Sequence, residues 1–143
     1  MSSGPITPAT IDDQEEAFAG AFRSGDISRA GRLYHRDVVY LSPTTRLFGW
    51  PRRIEGRARA LEFIELTISG VTNIDYVLDE RAVISGDSAY ARILFDFDVG
   101  DRRLRSVYVV VYRYREGLIA RQELYYDPDD RLDEVPERPP PGR

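Results

Sequence analysis

A chain of 143 residues with 42% hydrophobic residues and a net charge of −4 can bury one core and is too acidic to favour a phosphate backbone, so one domain without a nucleic-acid partner is expected. It has no cysteine, a single histidine (His35) and only arginine among its 20 basic residues, which excludes disulfides, thiolate chemistry, multi-histidine zinc sites and Schiff-base or P-loop lysines. Asp, Glu, Tyr, Ser, Arg and an apolar interior remain for chemistry, with no metal and no cofactor expected.

Met1-Ser2-Ser3-Gly4-Pro5 carries neither the basic region nor the apolar run of a signal peptide. No stretch approaches the roughly 18 apolar residues of a membrane span, so a cytoplasmic protein without a membrane partner is expected. Residues 1–9 read as a flexible arm. Thr10-Ile11-Asp12-Asp13 resembles a capping box for a first helix, with Phe18 and Phe22 four apart on one face and Ser24-Gly25 as its stop. Asp26 is placed to cap a short second helix carrying Ile27, Ala30, Leu33 and Tyr34. Val38-Val39-Tyr40-Leu41-Ser42 reads as a strand ended by Pro43, followed by a loop over 43–53 holding Phe48 and Trp50. Gly56 precedes a third helix with Ala60, Leu61, Ile64 and Ile68 at helical spacing and Gly70 as its end.

From residue 71 the apolar period changes from 3.6 to 2. Ser85-Gly86-Asp87-Ser88, Gly100-Asp101 and Glu116-Gly117 are hairpin signals that divide 71–127 into four long antiparallel strands. Helices followed by a run of strands make an α+β domain over 10–128. The remaining residues, 129–143, are proline-rich and charged and read as a disordered tail. The arginine pairs 52–53 and 102–103 read as solvated loop charges.

Three stretches together resemble SnoaL-like domains of the nuclear transport factor 2-like superfamily, which also holds the ketosteroid isomerases. They are Ala21-Phe22-Arg23-Ser24-Gly25-Asp26 with Leu33 through Tyr40, Ile54-Glu55-Gly56-Arg57-Ala58 through Ile64, and Gly117 through Pro128. The resemblance implies three N-terminal helices packed on a curved, mostly antiparallel sheet, forming a cone with one pocket, and a homodimer. Carried over residue by residue, it places Ser42 where the isomerases have their base carboxylate, Phe18 at their oxyanion-binding tyrosine and Val109 or Val110 at their protonated aspartate. Those groups are absent here, and proton abstraction beside a carbonyl needs both a base and an oxyanion partner. The polar set analogous to that of limonene epoxide hydrolases is Arg92, Asp96 and Glu123.

Two registers compete on the strand around Arg92. Alternation alone buries Ile93, Phe95 and Phe97, whereas the family alignment turns Arg92 and Asp96 inward; one residue of slip separates the two. Glu123 is the foremost catalytic candidate, because a glutamate buried against aromatics acquires a raised pKa suited to acid/base work. Counting back from Asp127-Pro128 puts Leu124 inside instead. Tyr108, Tyr112 and Tyr114 share one strand face and Arg105 and Arg113 the other, so the tyrosines are expected to point inward. With Phe18, Phe22, Tyr40, Ser42, Trp50, Phe63 and Tyr125 they could form an aromatic cup for a small apolar substrate. His35 is expected on the surface at the end of the second helix. The function expected is a cofactor-independent cyclase or isomerase acting on a polyketide- or terpenoid-like substrate. The alternatives are an epoxide hydrolase or a small-molecule-binding protein without catalysis.

Overall fold

The computed structural model describes residues 5–126; the expected tail, 129–143, lies outside the described residues. Helix α1 (Pro8–Ser24) starts one turn earlier than the Thr10 motif suggests. Thr7 is its cap: the Thr10 N–H donates to Thr7 Oγ1 at 3.3 Å and the Thr7 N–H donates back to Thr10 Oγ1 at 3.2 Å. Pro8, with φ fixed and no N–H to leave unpaired, suits the first helical position. Gly25 ends the helix at φ 79°, donating its N–H to the Ala21 carbonyl at 2.8 Å.

The second helix is shorter than expected. α2 is the single turn Ser28–Gly31, and Tyr34 and His35 already belong to strand β1 (Tyr34–Leu41). Sheet pairing explains the difference, because the Ile119 N–H donates to the Leu33 carbonyl at 2.8 Å and Tyr34 pairs with Ile119. A 3-10 turn (Pro43–Phe48) then leads to β2 (Arg53–Glu55), three residues paired antiparallel with β1, where a loop is expected from the sequence. Helix α3 (Arg57–Gly70) follows where Gly56 and Gly70 frame it in the sequence, after two strands instead of the one expected there.

Strands β3 (Thr72–Ser85), β4 (Ser88–Val99), β5 (Arg102–Arg115) and β6 (Leu118–Tyr126) turn at the three hairpin signals. The last turn holds Glu116 at φ 56° and Gly117 at φ 77°, the left-handed pair that matches strand twist. One six-stranded sheet results, in the order β2-β1-β6-β5-β4-β3. β1 lies parallel to β6 and every other pair is antiparallel, so the sheet is mixed.

The helices cover one face. On β4 the buried residues are Ser88 at its start and then Ala89, Ala91, Ile93, Phe95 and Phe97 in alternation; on β5 they are Leu104, Ser106, Tyr108, Val110, Tyr112 and Tyr114. Alternation therefore sets the β4 register, and Arg92 and Asp96 occupy the opposite, outer face. β6 is irregular: Arg113 pairs with Arg121 but Tyr114 pairs with Ile119, so one extra residue is accommodated there. Gln122 and Leu124 consequently turn inward and Glu123 outward.

The two faces respond differently to truncation. Phe95→Ala removes an aromatic from the core and is expected to cost about 3–5 kcal/mol, whereas Arg92→Ala, on the outer face, costs less than about 1 kcal/mol. Urea denaturation of both variants measures the contrast, and equal losses would mean the register is the other one.

Candidate functional site

Ile11, Glu15, Phe18 and Phe22 are spaced four, three and four residues apart, a single face of α1. That face lies on the sheet, so the spacing carries a carboxyl group into the core. Glu15 is 2% exposed. Three donors answer it: the Tyr76 hydroxyl from β3, the Tyr112 hydroxyl from β5 at 2.6 Å and Gln14 Nε2 at 2.7 Å. The Gln14 amide is itself oriented by Tyr114, whose hydroxyl donates to Gln14 Oε1 at 2.7 Å. Desolvation dominates the balance and raises the Glu15 pKa, with the three hydrogen bonds pulling the other way. Burial also holds the Tyr76 and Tyr112 hydroxyls well above their ordinary range, so both remain protonated donors.

Aromatic rings surround this acid. Phe22 stacks on Tyr76 with centroids 5.2 Å apart, and Phe95 stands edge-on to Phe22 at 5.2 Å and to Tyr108 at 6.0 Å. Phe18 lies 5.9 Å from Tyr34, whose hydroxyl donates to Gln122 Oε1 at 2.6 Å. A second group gathers on α3, where Phe63 meets Tyr40, Phe48 and Trp50, each at 5.7 Å. The Arg59 guanidinium caps that group, 4.1 Å from the Trp50 ring centre. Ser42 is buried, and its carbonyl accepts from Thr45 Oγ1 at 3.0 Å.

The expected catalytic set is not in this interior. Glu123 sits on the outer face, accepting from Arg121 Nε at 2.7 Å and from the Tyr125 hydroxyl at 2.7 Å. Those bonds lower its pKa, opposite to the raised value expected. Arg92 pairs with Asp79, and Asp96 lies 3.9 Å from Arg105. Burying charged side chains is costly where apolar residues of the same strand can go inside, and Ile93 and Phe95 take that place. Tyr125 follows Glu123 outward and is 50% exposed, so it is not part of an aromatic cup. Phe18, Phe22, Tyr40, Ser42, Trp50, Phe63, Tyr108 and Tyr112 do share the helix-covered side of the sheet, split between the two aromatic groups.

His35 is a β1 residue, not a helix end. Its Nδ1 accepts the Asp37 N–H at 3.1 Å, in a surface cleft of about 560 Å³ shared with Arg36, Arg57 and Arg115. Among the described residues, no three His, Asp or Glu side chains are grouped as metal ligands, and no helix is long and apolar enough to cross a membrane.

The SnoaL-like domain family matches residues 15–122, running from the buried glutamate to the last inward-facing glutamine. The chain belongs to the SnoaL-like domain family. No curated protein matches it. Solved structures share its fold at low identity. An NTF2-like protein from Anabaena variabilis is 15% identical with a TM-score of 0.74, covering 85% of this chain and 90% of that one. TsrD from Streptomyces laurentii is 21% identical with a TM-score of 0.70, covering 87% and 93%. An LEH-like epoxide hydrolase from M. tuberculosis is 18% identical with a TM-score of 0.68, covering 87% and 88%. The buried acid of this SnoaL-like domain lies one helical turn before Phe18, and its Tyr112 partner two residues beyond Val110, offset in sequence from the positions the isomerase resemblance points to.

Glu15 makes stability depend on pH with a definite sign. Below its ordinary value of 4.5 the group is protonated in both folded and unfolded chains. As pH rises past that value the unfolded chain releases the proton while the folded one keeps it, so stability falls until the raised folded pKa is passed. The lowered carboxyls Asp12, Asp98 and Glu123 have the opposite slope, confined to more acid pH. Glu15→Gln, which keeps an acceptor for the tyrosines, is expected to abolish the decline above pH 4.5, as followed by thermal melting across pH; an unchanged profile would show that Glu15 is not the group titrating.

Proposed function

We propose that this protein is a cofactor-independent cyclase or isomerase, acting on a small, largely apolar polyketide- or terpenoid-like molecule taken into the interior between α1 and the sheet. The observation that carries this reading is the Glu15 carboxyl, buried in an aromatic surrounding that raises its pKa and hydrogen-bonded to Tyr76 and Tyr112. Cyclisations and double-bond shifts change neither redox state nor the net count of protons. One group that gives a proton at one atom and, as carboxylate, takes one back at another therefore suffices.

A glutamic acid whose pKa is raised by burial is a better proton donor than an exposed one, since the shift runs toward the operating range. The two phenols would steady the carboxylate left after donation, because hydroxyls that already point at Glu15 need no reorganisation when charge appears there. Aromatic walls from Phe22, Phe95 and Tyr108 suit a flexible apolar chain folded into a reactive shape, where holding the reacting atoms together lowers the barrier. Epoxide opening is less favoured by this arrangement. It consumes a water and calls for the Arg92, Asp96 and Glu123 set, which is engaged in outer-face ion pairs.

The test follows exchange of the α-hydrogens of 2-tetralone in heavy water by NMR. The wild-type protein is expected to accelerate exchange, Glu15→Gln to lose about 100-fold or more of that acceleration, and Glu123→Gln to retain it. Saturable binding of the ketone with no exchange in the wild type would sink the catalytic reading and leave a binding protein. Loss in Glu123→Gln alone would return the chemistry to the last strand.

A further inference from the structure

We infer that the Gln122 side-chain amide is a ligand-facing hydrogen-bond donor that holds a carbonyl or enol oxygen of the interior substrate, on the opposite side of Tyr112 from Glu15. This deepens the acid/base reading above and rests on it for the location of the substrate.

Gln122 is only 6% exposed. An amide offers one acceptor oxygen and two N–H donors. Its oxygen is taken by the Tyr34 hydroxyl at 2.6 Å. Tyr34 is wholly buried and burial pushes its pKa well up, so the phenol keeps the hydrogen that it directs at the amide oxygen. That bond fixes which end of the amide is oxygen. The nitrogen is thereby turned away from Tyr34, and no side chain or carbonyl among the described residues accepts from it.

Every sealed polar side-chain atom among the described residues has a partner. A nitrogen that has none is therefore not sealed; it borders accessible space although the residue around it is buried. The register fixes its surroundings. Gln122 pairs with Tyr40 of β1 and with Tyr112 of β5, on the face the helices cover. Tyr112 also donates to Glu15, so a single phenol separates the free donor from the buried acid.

A donor without a protein acceptor, clamped in one orientation and set among aromatic side chains, fits a neutral or partially negative oxygen better than a cation or an apolar group. The substrate class this points to is a ketone, or an enol derived from one, carried on an apolar ring or chain. Gln122 would hold the oxygen while Glu15 serves the proton transfer. Tyr34 acts only through the amide and is a positioning residue.

The probe is 2-tetralone bound to the full-length protein, read by its carbonyl stretch in infrared difference spectra and by its affinity. Wild-type protein is expected to lower the stretching frequency relative to an apolar solvent. Gln122→Leu is expected to restore the apolar-solvent value and weaken binding about five- to tenfold, while Glu15→Gln keeps the lowered frequency even though it loses hydrogen exchange. Thermal melting of each variant reports whether it is folded. If Gln122→Leu does not fold, Tyr34→Phe takes its place; it frees the amide to rotate and is expected to broaden the bound band and reduce its shift. A lowered band that persists in these variants, or no lowered band in the wild type, overturns the role of Gln122. A band lost only in Glu15→Gln also overturns it, and leaves Glu15 as the group that holds the oxygen. Lost exchange in Glu15→Gln with the band intact separates the two ideas, since the proton chemistry then fails while the oxygen contact stands.

Discussion

A carboxyl group removed from water must either resist ionisation or be surrounded by donors, and at Glu15 burial raises the pKa while three donors pull it back. Its oxygens accept from two phenols and an amide that come from three different elements, α1 itself, β3 and β5. Because β3 and β5 flank β4 in the sheet, those bonds fix where α1 crosses it. β4 presents Ala89 and Ala91 on the same covered face, side chains small enough to let the helix approach. Tyr114 extends the network through Gln14, so four polar side chains besides the acid are committed to one buried cluster. A fully satisfied cluster of this kind specifies one docking geometry, since any shift of α1 would strand a donor or an acceptor.

The same cluster makes the interior chemically uneven. Around it the packing is aromatic and apolar, from Phe18 and Phe22 on the helix to Phe95 and Tyr108 on the sheet. Burial raises the pKa of the acid and of the two hydroxyls beside it, so the surroundings favour the protonated form of all three groups. The charged residues of the long strands have separated onto the other face, where Arg92, Arg105 and Arg121 pair with Asp79, Asp96 and Glu123. Surface pairs of this sort add little stability, and they engage these carboxylates with arginines outside the covered interior.

Relative to the positions the isomerase resemblance points to, the polar groups of this chain are offset in sequence, by three residues on α1 and by two on β5. Phe18 and Val110 fill the positions where the resemblance would place polar side chains, and both are buried within the apolar core. Ser42 at the end of β1 keeps a hydroxyl there but no carboxylate. Family membership thus fixes the scaffold while the chemistry rests on which inward positions carry polar atoms.

Much of the fold was legible in the residues. The three hairpin turns, the third helix and the inward face of β4 follow from glycine placement and from the alternation of Ile93, Phe95 and Phe97, because turn conformation and strand pleat are local properties. Glu15 was legible too, at the i, i+4 spacing from Ile11 and three before Phe18, but it is easily read as part of the acidic run Asp12 to Glu16. Other features were decided only by the assembled structure. Where α2 stops and β1 begins depends on pairing with β6, a strand more than eighty residues later. The facing of Gln122 and Glu123 depends on one extra residue accommodated in β6, which reverses every side chain beyond it. A bulge costs the local sequence almost nothing to accept or refuse, so its position is chosen by long-range packing, and with it which of two adjacent polar residues looks into the core.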